Sequence, residues 1–210
     1  MNIKAVLFDL DGVLIDTEGL YSCFWNEMDN LYPTGVADFA DVIKGNTLSN
    51  ILSTYFPDAR HQEEIKRRLT QQENDMEYRL FDGAVSLMRG LKNHGIRTAI
   101  VTSSNLKKMK HLFNVLPELE ENIDLLVTDE DVTASKPDPQ GYLLAASRFG
   151  AGAGEFIVVE DSIAGLQAGR RAGAFVLGIA TTNSHEVVEK MADLTINEIG
   201  DISVDDICKL

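Results

Sequence analysis

The 210-residue sequence predicts an α/β fold: a parallel sheet with helices on both faces, plus an all-helical segment inserted after the first strand. Three observations carry this. Short apolar runs bounded by turn residues recur along the chain. From about residue 82 onward, amphipathic stretches alternate with those runs. Between residues 17 and 81 the alternation stops, and only helical patterns appear, with no β-branched run.

The first predicted strand is Lys4–Phe8, ending at Asp9. Helical patterns follow at Leu20–Leu31, Phe39–Ile43, Leu48–Tyr55 and His61–Phe81. Further strands are expected at Thr98–Thr102 ("TAIVT"), Asp124–Thr128 ("DLLVT"), Phe156–Glu160 ("FIVVE") and Phe175–Ile179 ("FVLGI"). The intervening helices are Ala84–Asn93, Leu106–Leu116, Pro139–Phe149 and Ile163–Ala172. Gly95, Gly150 and Gly173 stand where helix C-caps belong. This divides the chain into an α/β unit, residues 1–16 and 82–210, and a helical unit, residues 17–81.

Composition narrows the function. A net charge of -14 argues against nucleic acid and anionic membranes as partners. Apolar runs fall far short of the roughly 20 residues of a membrane span, and the N-terminus, one Lys and then acids with no small-residue cleavage site, does not read as a signal peptide. Two cysteines, Cys23 and Cys208, exclude a disulfide framework and point to a reducing, cytoplasmic setting. With no exposed apolar stripe evident, a monomer is expected.

Polar residues crowd the predicted strand ends. In an open α/β sheet these ends converge on one edge, where ligands bind. "VLFDLDGVLID" puts Asp9 and Asp11 past the first strand, and "VVEDSIAG" puts Glu160 and Asp161 past another. Carboxylates so gathered repel one another unless a cation joins them, and an oxygen-rich set of this kind suits Mg²⁺. As bland alternatives, the aspartates are solvated turn residues, and Asp161 or Ser162 caps the next helix. "ASKPDP" holds Lys136 on a proline-stiffened loop, as a surface charge or a counter-charge for a phosphoryl group. "IVTSSN" supplies Thr102, Ser103, Ser104 and Asn105 as helix caps, phosphate donors, or both. "RFGAGAGEF" precedes a strand and is therefore a loop, not a dinucleotide fingerprint.

Taken together, "DLDGVLID", the Thr102 region, "SKPDP" and "VVEDSIAG" resemble, in order, the four motifs of haloacid dehalogenase-superfamily phosphohydrolases with a helical cap. The resemblance spans essentially the whole chain and implies a Rossmann-like core with residues 17–81 as the cap, hinged near Asp16–Thr17 and Phe81–Gly83. It implies Asp9 as the nucleophile that becomes a phosphoaspartate, and Asp11 as the general acid–base. Lys136 would bridge Asp9 and the phosphoryl group, and Thr102 would bind a phosphoryl oxygen. Mg²⁺ would be held by Asp9, the Asp11 carbonyl and Asp161, with Glu160 ligating directly or through water. Substrate-facing candidates are Ser103, Ser104 and Asn105 with Tyr21, Lys44, Gly45, Asn46 and Thr47; Trp25 reads rather as helix-face core.

The implied activity is a Mg²⁺-dependent phosphatase acting on small phosphate monoesters, of sugar or polyol type. A phosphosugar mutase is the alternative. Its pattern carries a cap arginine where this chain has Leu48, a basic residue where Asn105 stands, and "EYH" where "GLY" ends at Tyr21. Arginine grips a second phosphate bidentately; Lys44, Lys107 and Lys108 would be its partial substitutes. A dehalogenase, and a non-catalytic phosphate- or metal-binding module, are the remaining readings.

Overall fold

The structure is a computed structural model, and it describes residues 2–210. Six parallel strands form one sheet in the order β3-β2-β1-β4-β5-β6. They are β1 (Ala5–Phe8), β2 (Arg97–Val101), β3 (Leu125–Val127), β4 (Phe156–Glu160), β5 (Phe175–Ile179) and β6 (Leu194–Ile196). The helices of the α/β unit are α5 (Ala84–Asn93), α6 (Leu106–Val115), α7 (Pro117–Glu121), α8 (Gln140–Arg148), α9 (Ile163–Arg171), α10 (His185–Glu189) and α11 (Val204–Ile207).

β1 is fully buried and apolar on both sides, as a central parallel strand must be. Its alternate residues serve two cores. Val6 and Phe8 pack with Ile100, Ile157 and the α5 residues Leu87 and Leu91. Ala5 and Leu7 pack with Val101, Val158 and Tyr142 of α8. β1 pairs with β2 on one side and β4 on the other, so strand order reverses there. A crevice opens at such a switch point, outside the carboxyl ends of the strands.

Residues 18–75 are helical: α1 (Glu18–Leu31), α2 (Phe39–Val42), α3 (Leu48–Tyr55) and α4 (Ala59–Asp75). They close over a hydrophobic cluster of their own, which includes Phe24, Trp25, Met28, Phe39 and Phe56. Trp25 packs edge-on against Phe24 and Phe39 and stacks on Phe56, so it belongs to this core, and it also lines the pocket described below.

One expectation is corrected, and two short elements were not foreseen. The helix expected to run to Phe81 stops at Asp75. Residues 76–81 instead run back extended: the Asp16 N–H donates to the Arg79 carbonyl at 2.9 Å, and the Phe81 N–H to the Leu14 carbonyl at 3.0 Å. The alternation of Met76, Tyr78 and Leu80 with exposed Glu77 and Arg79 has the period of a strand, not a helix. The helix expected over Leu106–Leu116 is α6; Pro117, which cannot continue it, starts a further short helix, α7, that was not expected. β6, a three-residue edge strand, has too little apolar sequence to be legible. Among the described residues no helix is long and apolar enough to cross a membrane.

Candidate active site

The strand ends bring the acidic residues together. Asp9 leaves β1, Glu160 ends β4, and Asp161 follows it. Carboxylate oxygens of all three lie within 4.8 Å of one another, and all three residues are buried. Lys136, on the loop before α8, is the cation among them: its Nζ donates to Asp9 Oδ1 and, at 2.5 Å, to Glu160 Oε1. Three carboxylates against one ammonium leave a surplus of negative charge. Burial, and then Glu160, push the Asp9 carboxyl up to about 8 despite Lys136. Burial, Glu160 and Asp9 raise Asp161 well above the carboxylate range. For Lys136 burial acts downward, but Asp9 and Glu160 outweigh it and keep the ammonium charged.

Each acid has a different surrounding. Glu160 accepts five hydrogen bonds. Lys136 and the Tyr142 hydroxyl (2.8 Å) reach Oε1; the Asp161 N–H (3.0 Å), Ser162 N–H (3.1 Å) and Ser162 hydroxyl (3.0 Å) reach Oε2. Both its oxygens are consumed. Asp161 Oδ2 accepts from the Thr182 hydroxyl, whereas its buried Oδ1 has no partner. An orphaned buried carboxylate oxygen is costly. With the surplus charge, it fits this cluster to a divalent cation.

Asp11 faces another way. Oδ1 accepts from Thr17 at 2.5 Å and from Lys108 at 2.9 Å; Oδ2 accepts from Lys108 at 2.7 Å and Ser104 at 3.3 Å. Gly12 follows with φ +80°, and a Cβ there would overlap the Asp161 carboxylate. Only glycine lets the β1 loop approach β4 so closely.

Asp9, Asp11, Thr102, Ser103, Ser104, Asn105 and Asp161 share one pocket with Tyr21, Lys44, Gly45 and Asn46 from the helical segment. Its unfilled space, counted together with the part that is open to solvent, is about 850 Å³. Lys136 and Glu160 do not line the pocket; Lys136 connects Glu160 to Asp9, which does. The helical segment touches the α/β unit here: the Ser103 hydroxyl donates to the Gly45 carbonyl at 2.8 Å, and Thr47 and Ser135 hydroxyls meet at 2.8 Å. Thr47 also caps α3, and it faces Ser135 rather than the pocket lining. Asn105 caps α6 through the Lys108 N–H at 2.8 Å, and Ser162 caps α9. Asn46 donates back to the Ile43 carbonyl at 3.1 Å.

Several residues here were not singled out from sequence. Lys108, named only as a stand-in cation, is buried and holds both Asp11 oxygens. It sits 4.7 Å from the Tyr21 ring centre. One signal was available: four residues before buried Leu112, Lys108 lies on the apolar stripe of α6. Glu18, Glu73, Tyr142 and Thr182 carried none, because their partners are distant in sequence.

Glu160 also lies against the first turn of α9. A Cβ at Gly165 would overlap its carboxylate, which five donors pin in place. Gly165→Ala is expected to destabilise the fold by about 3 kcal/mol through overpacking and to remove most activity. Thermal melting followed by circular dichroism checks the first; an unchanged melting temperature would contradict the pinned geometry.

A family model described as haloacid dehalogenase-like hydrolase matches residues 6–179. Hexitol phosphatase A of Escherichia coli is 30% identical over 212 residues, covering 97% of this chain and 95% of that protein. Validoxylamine A 7'-phosphate phosphatase of Streptomyces hygroscopicus subsp. limoneus is 33% identical over 121 residues, covering 58% of this chain and 56% of that protein. A solved structure of a HAD hydrolase, family IA, variant 3, from Entamoeba histolytica superposes with a TM-score of 0.82 at 26% identity, covering 99% of this chain and 98% of that one.

Proposed function

The chain belongs to the haloacid dehalogenase-like hydrolase family, and on that premise we propose that it is a Mg²⁺-dependent phosphatase of small phosphate monoesters, of sugar or polyol type. One observation carries this reading. Lys136 ties Asp9 to Glu160 beside the unpartnered Asp161 oxygen, at the base of a pocket roofed by the helical segment. That segment acts as a cap that shields the reaction from water.

Asp9 attacks phosphorus in line and carries the phosphoryl group until water displaces it. Lys136 offsets the repulsion between Asp9 and the incoming anion. Asp11 gives a proton to the leaving oxygen and later takes one from water; Thr17, Ser104 and Lys108 hold it in position. Thr102 and the loop after it hold phosphoryl oxygens. Asp9, the Asp11 carbonyl and Asp161 would hold Mg²⁺, which when bound neutralises phosphoryl oxygen charge. Glu160, its oxygens saturated by protein donors, orients Lys136 and the Asp161 backbone rather than ligating directly.

Two of the lysines expected to substitute for a mutase arginine are already engaged, Lys44 with Asp41 and Glu18, Lys108 with Asp11. This supports hydrolysis over transfer within a bisphosphate. A panel of phosphorylated metabolites with Mg²⁺ tests the proposal. Phosphate release from at least one monoester is expected, lost on adding a chelator and restored by Mg²⁺. Folded protein inert across the panel, or indifferent to chelation, would defeat it.

A further inference from the structure

The helical segment contributes Glu18, Tyr21, Lys44 and Glu73 to the pocket, among apolar neighbours such as Leu48 and Leu69. Both lysines that line the pocket are neutralised. Lys44 has Asp41 at 2.9 Å and Glu18 at 3.5 Å; Lys108 has Asp11 at 2.7 Å. Glu73 differs. Its half-buried carboxylate accepts a single hydrogen bond, from the Tyr21 hydroxyl at 3.1 Å. No cation among the described residues forms an ion pair with it. Helix stability does not explain its presence. Glu73 lies in the last turn of α4, where negative charge opposes the helix dipole and no basic residue compensates. Burial pushes its carboxyl up, against the pull of Lys108, the Tyr21 hydroxyl and Lys107, and hydroxyl donors from a ligand would add to that pull.

Resting on the phosphatase reading above, we propose that Glu73 is the specificity-determining residue of this pocket: it accepts hydrogen bonds from hydroxyls of the leaving alcohol and repels a second anion. The substrate class is then the monophosphate ester of a neutral polyhydroxy alcohol. A second phosphate or carboxylate would meet an unpaired carboxylate and two lysines already committed to other acids, whereas hydroxyls supply the donors that Glu73 lacks. A polar group left unpaired by the wrong substrate discriminates strongly.

The experiment compares kcat/KM for a hexitol 6-phosphate, a hexose 1,6-bisphosphate and phenyl phosphate, with Mg²⁺, in wild type, Glu73→Gln and Glu73→Ala. Wild type is expected to favour the hexitol ester over both others. Glu73→Ala should lower the hexitol-to-phenyl ratio by about tenfold, the loss expected for a hydrogen bond to a charged group. The isosteric Glu73→Gln should raise the bisphosphate-to-hexitol ratio by about fivefold, since only charge is removed. Wild-type preference for the bisphosphate, or ratios moving less than about twofold in both variants, would overturn the assignment while leaving phosphatase activity standing. Failure of wild type on every monoester would instead overturn the phosphatase reading, and this one with it.

Discussion

Asp9→Asn is expected to abolish turnover, lowering kcat by about ten-thousandfold or more, because an amide cannot act as the nucleophile. The fold should survive. The substituted amide can still accept from Lys136 through its carbonyl oxygen, and the change removes one of three carboxylates crowded within 4.8 Å. Stability offers an independent readout. Without metal, the Asp9 carboxyl is raised from 3.8 to about 8 in the folded protein. A group whose folded value exceeds its unfolded value favours the fold at low pH, and that contribution is lost as pH rises through the interval between them. Metal-free wild type should therefore lose thermal stability between about pH 4 and pH 8, and the Asp9→Asn variant should lose less. Mg²⁺ should raise the melting temperature of wild type and do little for the variant. Retained turnover in Asp9→Asn would remove the nucleophile assignment; an equal response of both proteins to Mg²⁺ would remove Asp9 from the metal site.

Glu160→Gln is expected to be the most damaging isosteric change to the fold. All five of its partners are donors: Lys136 and Tyr142 on one oxygen, two backbone N–H groups and Ser162 on the other. A glutamine has one NH₂ group, and either orientation turns it against donors. Lys136 also loses half of its counter-charge at a site it shares with Asp9. Breaking a buried, hydrogen-bonded charge pair costs about 3–5 kcal/mol, which for a chain of this size lowers the melting temperature by roughly 10 °C. Residual activity should fall in parallel as Lys136 and Asp161 lose their alignment. Differential scanning calorimetry and kcat on the same preparations test both. A variant as stable as wild type would mean that Glu160 is not the hub of this network.

Glu160 also illustrates how much of the site could be seen beforehand. Its placement at a strand end beside Asp161 was legible, since "FIVVE" is a buried run and ligands gather past such runs. What it does there was not. Five donors converge on it only once β4, α8 and α9 are packed. The parallel sheet was legible from five apolar runs; β6 was not, being short and partly exposed. Residues 76–81 escaped because their period of two adjoins the 3.6 period of α4, and the helical pattern overruns the boundary.

Sequence alone determined which chemical groups sit past which strands: Asp9 and Asp11 after β1, Thr102 to Asn105 after β2, Lys136 before α8, and Glu160 with Asp161 after β4. Short-range patterning encodes that much, because a strand's burial and a helix's cap depend on near neighbours. The pairings were decided by tertiary structure: Lys136 between Asp9 and Glu160, Lys108 on Asp11, Glu73 left with Tyr21 alone. Those depend on charges far apart in the chain meeting in a medium of low polarity, where a few ångströms separate a satisfied carboxylate from one that needs a ligand.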